Sequence, residues 1–482
     1  MVVRGSRVAP GPGPVLAIDL GSTNVRLARF DVNGRQTGEA VQLRHRPSRG
    51  PAGQLNPHDL LHQLVSALHQ IDTDGVQAVG FSVIWQTALE VDPRLRPLGA
   101  VRTWEDSAQP AKPDTPRLSA EAAESHRLIT GSYLHPSYPL SQRLLLDEEA
   151  GGPTSAAPPP TMSHLASWLV AALTGSDPGW SEALASGSGL WDQDRRAWLP
   201  TPACATLRSQ PLWASAHRAT HPSSLLPPGL RDAAWLPALP DGLCHNLGLG
   251  AVGTGDVTLT VATSGSVRAV LTAGRAHAPR GLWEYRCGPT TTAVGGAITS
   301  LGNTLEWVER LTRRPVDFSF AAAPDPQLPH PRVQPDVYGR RGPDYSPIAS
   351  GAINNLGPAD DLASVGRAFA VDIWKQFVIL VRLMSEVTSP ELLWLGGGVV
   401  NRWPQAGQLL ADALGRPLQL SSTPQAALRG AALYAGQHIR RGSDALDDLV
   451  ADITTHGGEL DRGTLLQPRP AWTHALNERW AG

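Results

Sequence analysis

Lysine is nearly missing from this 482-residue chain: Lys112 and Lys375 are the only two, and arginine carries the remaining basic charge. A P-loop needs a lysine directly after its glycines, and a protein kinase needs a strand lysine on the phosphates. Lys112 sits in AKPD and Lys375 in DIWKQ, so residue supply disfavours both designs. Cysteine is also scarce. Cys204, Cys244 and Cys287 are odd in number and far apart, which suggests neither a disulfide framework nor a cysteine zinc site. No run of 18 apolar residues exists to span a bilayer, and MVVRGSRVAPGPGP at 1–14 lacks the apolar core of a secretory signal. A cytoplasmic location is the default expectation. The net charge of −2 leaves no basic surplus for nucleic acid or anionic membranes. His58 and His62 stand four apart on a helical pattern but have no third ligand nearby, so solvated histidines are expected rather than a metal site.

What remains is core-forming material and turns. Hydrophobic residues make up 41% of the chain and charged ones 17%, the balance of a soluble globular protein long enough for two large domains or about three average ones. The 48 glycines and 43 prolines fit many turns rather than disorder.

The stretch VLAIDLGSTNVRLARFD at 15–31 organises the reading. An apolar strand ends in Asp19, crosses a Gly21-Ser22-Thr23-Asn24 turn and returns with alternating apolar residues. Backbone N–H groups turned outward at glycine, together with the Ser22 and Thr23 hydroxyls, suit an anion such as phosphate. A carboxylate at the strand end would be costly unless paired, and hydrated Mg²⁺ beside phosphates would meet that need. TVATSGSVRAV at 260–270 repeats the device with a Thr263-Ser264-Gly265-Ser266 tip, and Val267-Arg268 matches Val25-Arg26. Two such hairpins half a chain apart suggest duplicated domains facing each other across a cleft that holds one nucleotide.

Along the chain, Asn56 as N-cap and Pro57 at the first helical position predict a helix carrying Leu60, Leu61, Leu64, Val65 and Leu68 on one face. VQAVGFSVIWQTALEV at 76–91 reads as strand, loop and strand. Trp85 and Gln86 stand at the strand end, where they could face a polyol or pack in the core. Trp104 and Asp106 repeat that pattern in VRTWED. GGPTSAAPPPT at 151–161 reads as a linker or surface loop. Asp241 opens the Gly-punctuated segment DGLCHNLGLG, where a general base or a helix-capping carboxylate would both fit. Residues 315–347 read as an irregular surface excursion, and one long helix is expected through Ala368, Val371, Ile373, Phe377 and Leu380. Leu392 to Gly398 reads as a buried strand meeting a triple-glycine turn that a flat adenine or ribose could approach, or that could be tight packing. LRGAALYAG reads as a small-residue helix for close contact.

The ordered series resembles one family, the FGGY carbohydrate kinases, from about residue 15 to 437. DLGSTNVR is similar to its first phosphate motif, GFSVIWQTALEVD with TWED to its sugar-side segment, and DGLCHNLGLG to the segment with its catalytic aspartate. TVATSGS resembles the second phosphate motif and WLGGGVVNRWPQAGQLLADALGRP the adenosine motif, while SGSGLWD and GLWEYR look most like gluconate kinases, with xylulose kinases second.

The resemblance implies an α/β, duplicated RNase H-like/actin-like ATPase fold with two lobes around a central cleft. It divides the chain into an N-terminal domain at 15–246, a C-terminal domain at 247–440 and an appendage at 441–482. It implies ATP and Mg²⁺, with Asp241 as general base, Asp19 organising the metal, and Gly21, Ser22, Thr23 and Arg26 at the transferred phosphate. Thr263, Ser264 and Gly265 would hold the other phosphates, Gly302, Gly397, Gly398 and Asn401 would line the nucleotide pocket, and Trp85, Gln86 and Asp106 would face the sugar. The partner is a small sugar or sugar acid, gluconate-like first and xylulose or another pentulose or polyol second. Homodimerisation stays open. Ala108, Pro240, Ala262, Arg340 and the Val371-Asp372 pair depart from the family pattern, several changing charge. A nucleotide- or sugar-binding protein with weakened turnover is therefore the reading of another class. A sugar acid would need a cation, and Arg102, Arg143 or Arg340 could supply it.

Overall fold

The strand β1 (Val15–Leu20) is buried along its whole length, as its apolar run dictates, and everything in the first lobe is laid out from it. The computed structural model describes residues 15–45, 53–106, 119–141, 161–272, 274–346, 348–423, 425–456 and 462–481. β1 pairs antiparallel with β2 (Asn24–Phe30), which pairs antiparallel with β3 (Val41–Arg44). On its other edge β1 lies parallel to β4 (Ala78–Val83), and β4 parallel to β5 (Leu239–Pro240). A parallel neighbour requires a crossover. The first one carries the helix α1 (Pro57–Leu68), whose Asn56 cap accepts the His58 and Asp59 N–H groups as expected.

The second sheet repeats this order. β6 (Asp256–Val261), β7 (Gly265–Leu271) and β8 (Thr292–Ile298) are antiparallel neighbours, β9 (Leu392–Gly396) lies parallel to β6, and β10 (Leu418–Ser421) parallel to β9. Both sheets therefore read third, second, first, fourth, fifth, with the same strand directions. This is the duplication that the two hairpins predict, in the actin-like α/β form that the resemblance implies.

Two helices cross where the lobes meet. α2 (Asp241–Leu249) starts directly after β5, and α3 (Ala426–Arg441) follows β10 but buries Leu428, Ala431, Ala432 and Ala435 in the core of the first sheet. Their approach leaves no room for side chains. A Cβ on Gly430 would overlap the Cys244 carbonyl, one on Gly248 the Ala426 carbonyl, and one on Gly80 the Ala431 carbonyl. The small-residue run of α3 thus ties the start of α2, and so Asp241, to the first sheet.

Two expectations fail. The long helix is two, Leu362–Asp372 and Lys375–Met384, broken around Trp374, whose fully buried indole packs between Phe318 and Phe377. The excursion at 315–347 is not confined to the surface: Phe318, Ala321, Val333 and Tyr345 are buried, so scattered anchors pin it without any periodic pattern. Lys112, Ala108, Arg143 and residues 151–160 lie outside the described residues.

Residues 462–481 dock on the second lobe, whereas the helix Leu446–His456 before them buries Leu446, Leu449 and Val450 in the core that contains the first sheet. Arg462–Leu466 adds an antiparallel edge strand to β10, and the helix Pro470–Ala481 buries Trp472. Its Arg479 forms a bidentate pair with Asp372 (2.6 and 2.7 Å), and the Trp480 indole N–H donates to the same carboxylate at 3.0 Å. Arg340 is likewise held by Asp336 (3.0 Å) and Asp344 (2.6 Å). The charge-altering departures at Arg340 and Asp372 are thus partnered inside the fold. The three cysteines are free and buried.

Candidate active site

Both hairpin tips present a hydroxyl to solvent. Thr23 and Thr263 are exposed, with Ser22 and Ser264 half-buried beside them. The first tip is closed by the Gly21 N–H donating to the Asn24 carbonyl (3.0 Å), and the His45 ring, backed by Gln63, contacts the Gly21 carbonyl at 2.8 Å. The second tip is one residue shorter: the Ala262 N–H donates to the Ser264 carbonyl (3.1 Å). Ala262 keeps a negative φ, so its extra methyl group is tolerated. The helix Gly302–Thr312 begins against this tip, with the Gly302 and Asn303 N–H groups donating to the Ala262 and Thr263 carbonyls at 3.2 and 3.0 Å.

The triple glycine divides its labour. Gly397, at φ +123°, lies so close to β6 that a Cβ would overlap the Val261 carbonyl, whereas a Cβ on Gly398 would meet open space and Asn401 is exposed. Gly397 therefore packs, and Gly398 leaves room for a flat group. Gly302 packs too, against Ala262.

Asp19 ends β1 almost fully buried. It accepts the Ser82 hydroxyl at 2.8 Å and pairs with the half-exposed Arg26 at 3.1 Å, its register partner across the hairpin. Burial holds its pKa above the usual carboxylate value, with Ser82 and Arg26 pulling the other way. Asp241 is the first residue of α2, half-buried, with the Gly242 N–H donating to it at 2.7 Å. Burial, with the Asp19 carboxylate adding to it, lifts Asp241 to about 6, while Arg268 opposes. A carboxylate poised near 6 exists mostly as the base at neutral pH and still accepts a proton readily.

Arg268 takes a different course from its sequence counterpart. Arg268 lies three ladder positions in from the Val261–Gly265 pair that closes its hairpin, where Arg26 lies one in from Leu20–Val25, so Arg268 pairs in register with Thr258 rather than with a strand-end residue. Its buried guanidinium donates to the Gly242 carbonyl (2.7 Å), Asn246 (3.1 Å) and Ser266 (2.9 Å). Sequence reasoning noted its position but gave it no role; it also gave none to Ser82, which lies inside the GFSVIWQTALEVD segment, and missed His45, whose local sequence carries no motif.

Trp85 is buried against Trp283 and Tyr285, and its indole N–H donates to the Ala183 carbonyl at 3.0 Å, so it packs in the core with its one polar atom already bonded. Gln86 is half-buried beside it. Asp106 is buried, accepts from Gln54 at 3.2 Å and keeps Oδ1 without a partner among the described residues. Arg102 stands 4.0 Å from Asp106.

Among the described residues no group of three or more His, Cys, Asp or Glu could cage a metal, and His58 and His62 are both exposed. Mg²⁺ bound to phosphates needs only one or two carboxylates and keeps its waters. Asp19, with Asp241 close enough to feel its charge, fits that requirement.

Residues 250–438 match the model of the FGGY family of carbohydrate kinases, C-terminal domain. The chain is 20% identical to the gluconokinase of Bacillus subtilis (strain 168) over 92% of its length and 91% of that protein. Its fold superposes on the gluconate kinase and the xylulose kinase of Lactobacillus acidophilus, each with a TM-score of 0.78, 18% identity and 96% of both chains covered.

Proposed function

We infer that this FGGY-family carbohydrate kinase moves the terminal phosphoryl group of ATP to a hydroxyl of a small sugar acid, gluconate-like, with Asp241 taking the hydroxyl proton. The observation that carries the reading is Asp241: a half-open carboxylate near pKa 6 at the start of a helix locked to the first sheet. Phosphoryl transfer asks a protein for positioning, charge neutralisation and one base rather than covalent chemistry. Asp241 supplies the base, and the hydroxyls and N–H groups of the two tips hold phosphate oxygens. Arg26 balances charge, and the open face of Gly398 with Asn401 admits the nucleoside. When bound, Mg²⁺ neutralises phosphate charge, and Asp19 is the residue to hold it. The partnered Arg340 and Asp372 weigh against the weakened-binder reading.

ADP release with Mg·ATP and a panel of D-gluconate, other aldonates, D-xylulose, xylitol and glycerol tests this. D-Gluconate is expected to lead, and Asp241→Asn to lose at least about a hundredfold in kcat while still binding nucleotide. No ADP above background with any acceptor would refute the kinase reading. Faster turnover of D-xylulose would favour the second reading, which the equal superposition on a xylulose kinase supports.

A further inference from the structure

Of the three arginines the sequence offers for a substrate carboxylate, Arg340 is already paired with Asp336 and Asp344, Arg102 lies beside Asp106, and Arg143 is outside the described residues. The neighbour of Arg340 behaves differently. Arg341 reaches from the second lobe over the indole of Trp104 in the first, 4.4 Å from guanidinium to ring centroid. Its one direct bond is a long 3.5 Å donation to the Ile298 carbonyl, its Nε is buried without an acceptor, and among the described residues it forms no ion pair. Glu105 is the carboxylate that feels its charge, yet the two form no ion pair.

His135 supplies a second unpartnered donor nearby: its ring stands edge-on to Tyr345, 5.9 Å between centroids, and the Tyr345 N–H donates to the Arg341 carbonyl. The Ser137 backbone N–H donates to its Nδ1 at 3.1 Å, which puts the ring proton on Nε2. That Nε2 is buried with no acceptor. Burial, with Arg341 nearby, drops the His135 pKa to about 3, so the ring stays a neutral donor at any physiological pH. A buried donor left unmatched costs free energy, and an anion that both groups can bond removes that cost.

We propose that Arg341 and His135 form the carboxylate subsite of the acceptor, reading the acid end of a sugar acid whose carbon chain lies along Trp104. The chemistry fits each part: a guanidinium fork matches a carboxylate with two bonds, a neutral imidazole N–H adds a third, and an indole face receives C–H groups. Because Arg341 comes from one lobe and Trp104 and His135 from the other, binding the carboxylate also draws the lobes together. The proposal rests on the sugar-acid kinase reading and names the residues that would select that substrate.

The test compares the full-length protein with Arg341→Gln and His135→Phe, using D-gluconate and xylitol as acceptors. Binding of D-gluconate by calorimetry is measured alongside turnover. Arg341→Gln is expected to raise KM and Kd for D-gluconate about 10- to 100-fold, the scale of a lost charge-assisted bond, with kcat and the xylitol KM little changed. His135→Phe should give a smaller loss of the same kind. Equal losses on both acceptors, or unchanged D-gluconate affinity in Arg341→Gln, would overturn the subsite. Arg341-dependent binding of D-gluconate without any ADP would leave the subsite standing and refute the kinase reading instead. Turnover with unchanged D-gluconate affinity in the variant would do the reverse.

Discussion

The two hairpins share a sequence pattern and strand directions but not a job. In the first, the arginine stays at the strand end, half in water, and pairs with the carboxylate of its own hairpin. In the second, the arginine lies three ladder steps from the tip rather than one and is buried against the helix that carries the proposed base. One hairpin thus holds an acid suited to a metal, and the other steadies a base made elsewhere. Duplication supplied the scaffold, and the depth of the arginine in its ladder, one step from the tip in the first hairpin and three in the second, decides where the cation points.

The largest difference to probe is backbone clearance. Gly21 has free space on its Cβ side, the nearest atom being the Asn24 carbonyl at 3.7 Å, whereas Gly397 is left-handed and pressed on the second hairpin. Gly397→Ala is expected to cost about 3 kcal/mol, from overpacking plus φ strain. Gly21→Ala should stay within about 0.5 kcal/mol. Urea melts of both variants check this, and equal losses would mean the second tip is no more tightly braced than the first.

Next comes the arginine pair itself. Arg268→Gln strands the Gly242 carbonyl in a buried site and is expected to cost about 2 kcal/mol. Arg26→Gln, at a half-exposed ion pair, should cost about 1 kcal/mol or less, with its main effect on KM for ATP. The same melts decide it, and a reversed order would break the contrast.

Much of this could be read from the chain. The strands and the first tip follow from apolar runs broken by Gly, Ser and Thr, and the close-packed helix from its run of Gly and Ala, but the second tip closes earlier than its sequence suggested: Gly265 and Ser266 belong to the strand, and Ala262, Thr263 and Ser264 make the turn. Arg268 was visible only as an echo of Arg26, because its depth in the ladder does not follow from the motif. The excursion at 315–347 could not be read as buried, since Phe318, Val333 and Tyr345 are too far apart to make a period, and so Arg341 went unnoticed beside Arg340. The charge changes at Arg340 and Asp372 looked disruptive because their partners are supplied by the fold. Asp344 and Asp336 lie four residues from Arg340 on either side, and Arg479 comes from the far end of the chain.

The hairpins also pull the base in opposite directions, which pH profiles resolve. With Asp241 near 6, kcat/KM should fall about tenfold per unit below that pH as the base is protonated. Asp19 raises this pKa and Arg268 lowers it, so Asp19→Asn should move the acid limb to lower pH and Arg268→Gln to higher pH, whatever each does to the maximum rate. Shifts in the same direction would show that the limb reports another group.

The smallest expected effect separates the tips by their hydroxyls. Ser22 lies close enough to the half-buried Glu105 to oppose the rise in pKa that burial imposes, so Ser22→Ala should raise that pKa further. No comparable carboxylate is bonded to Ser264 among the described residues. Ser264→Ala should therefore act on ATP alone, with a KM increase below about tenfold, the worth of one neutral hydrogen bond. Ser22→Ala should change the KM of ATP and of the acceptor together, because Glu105 touches the first tip and feels Arg341 on the sugar side. Steady-state kinetics with both substrates varied would show this split. Matching patterns in the two variants would mean that the first tip has no more contact with the sugar side than the second.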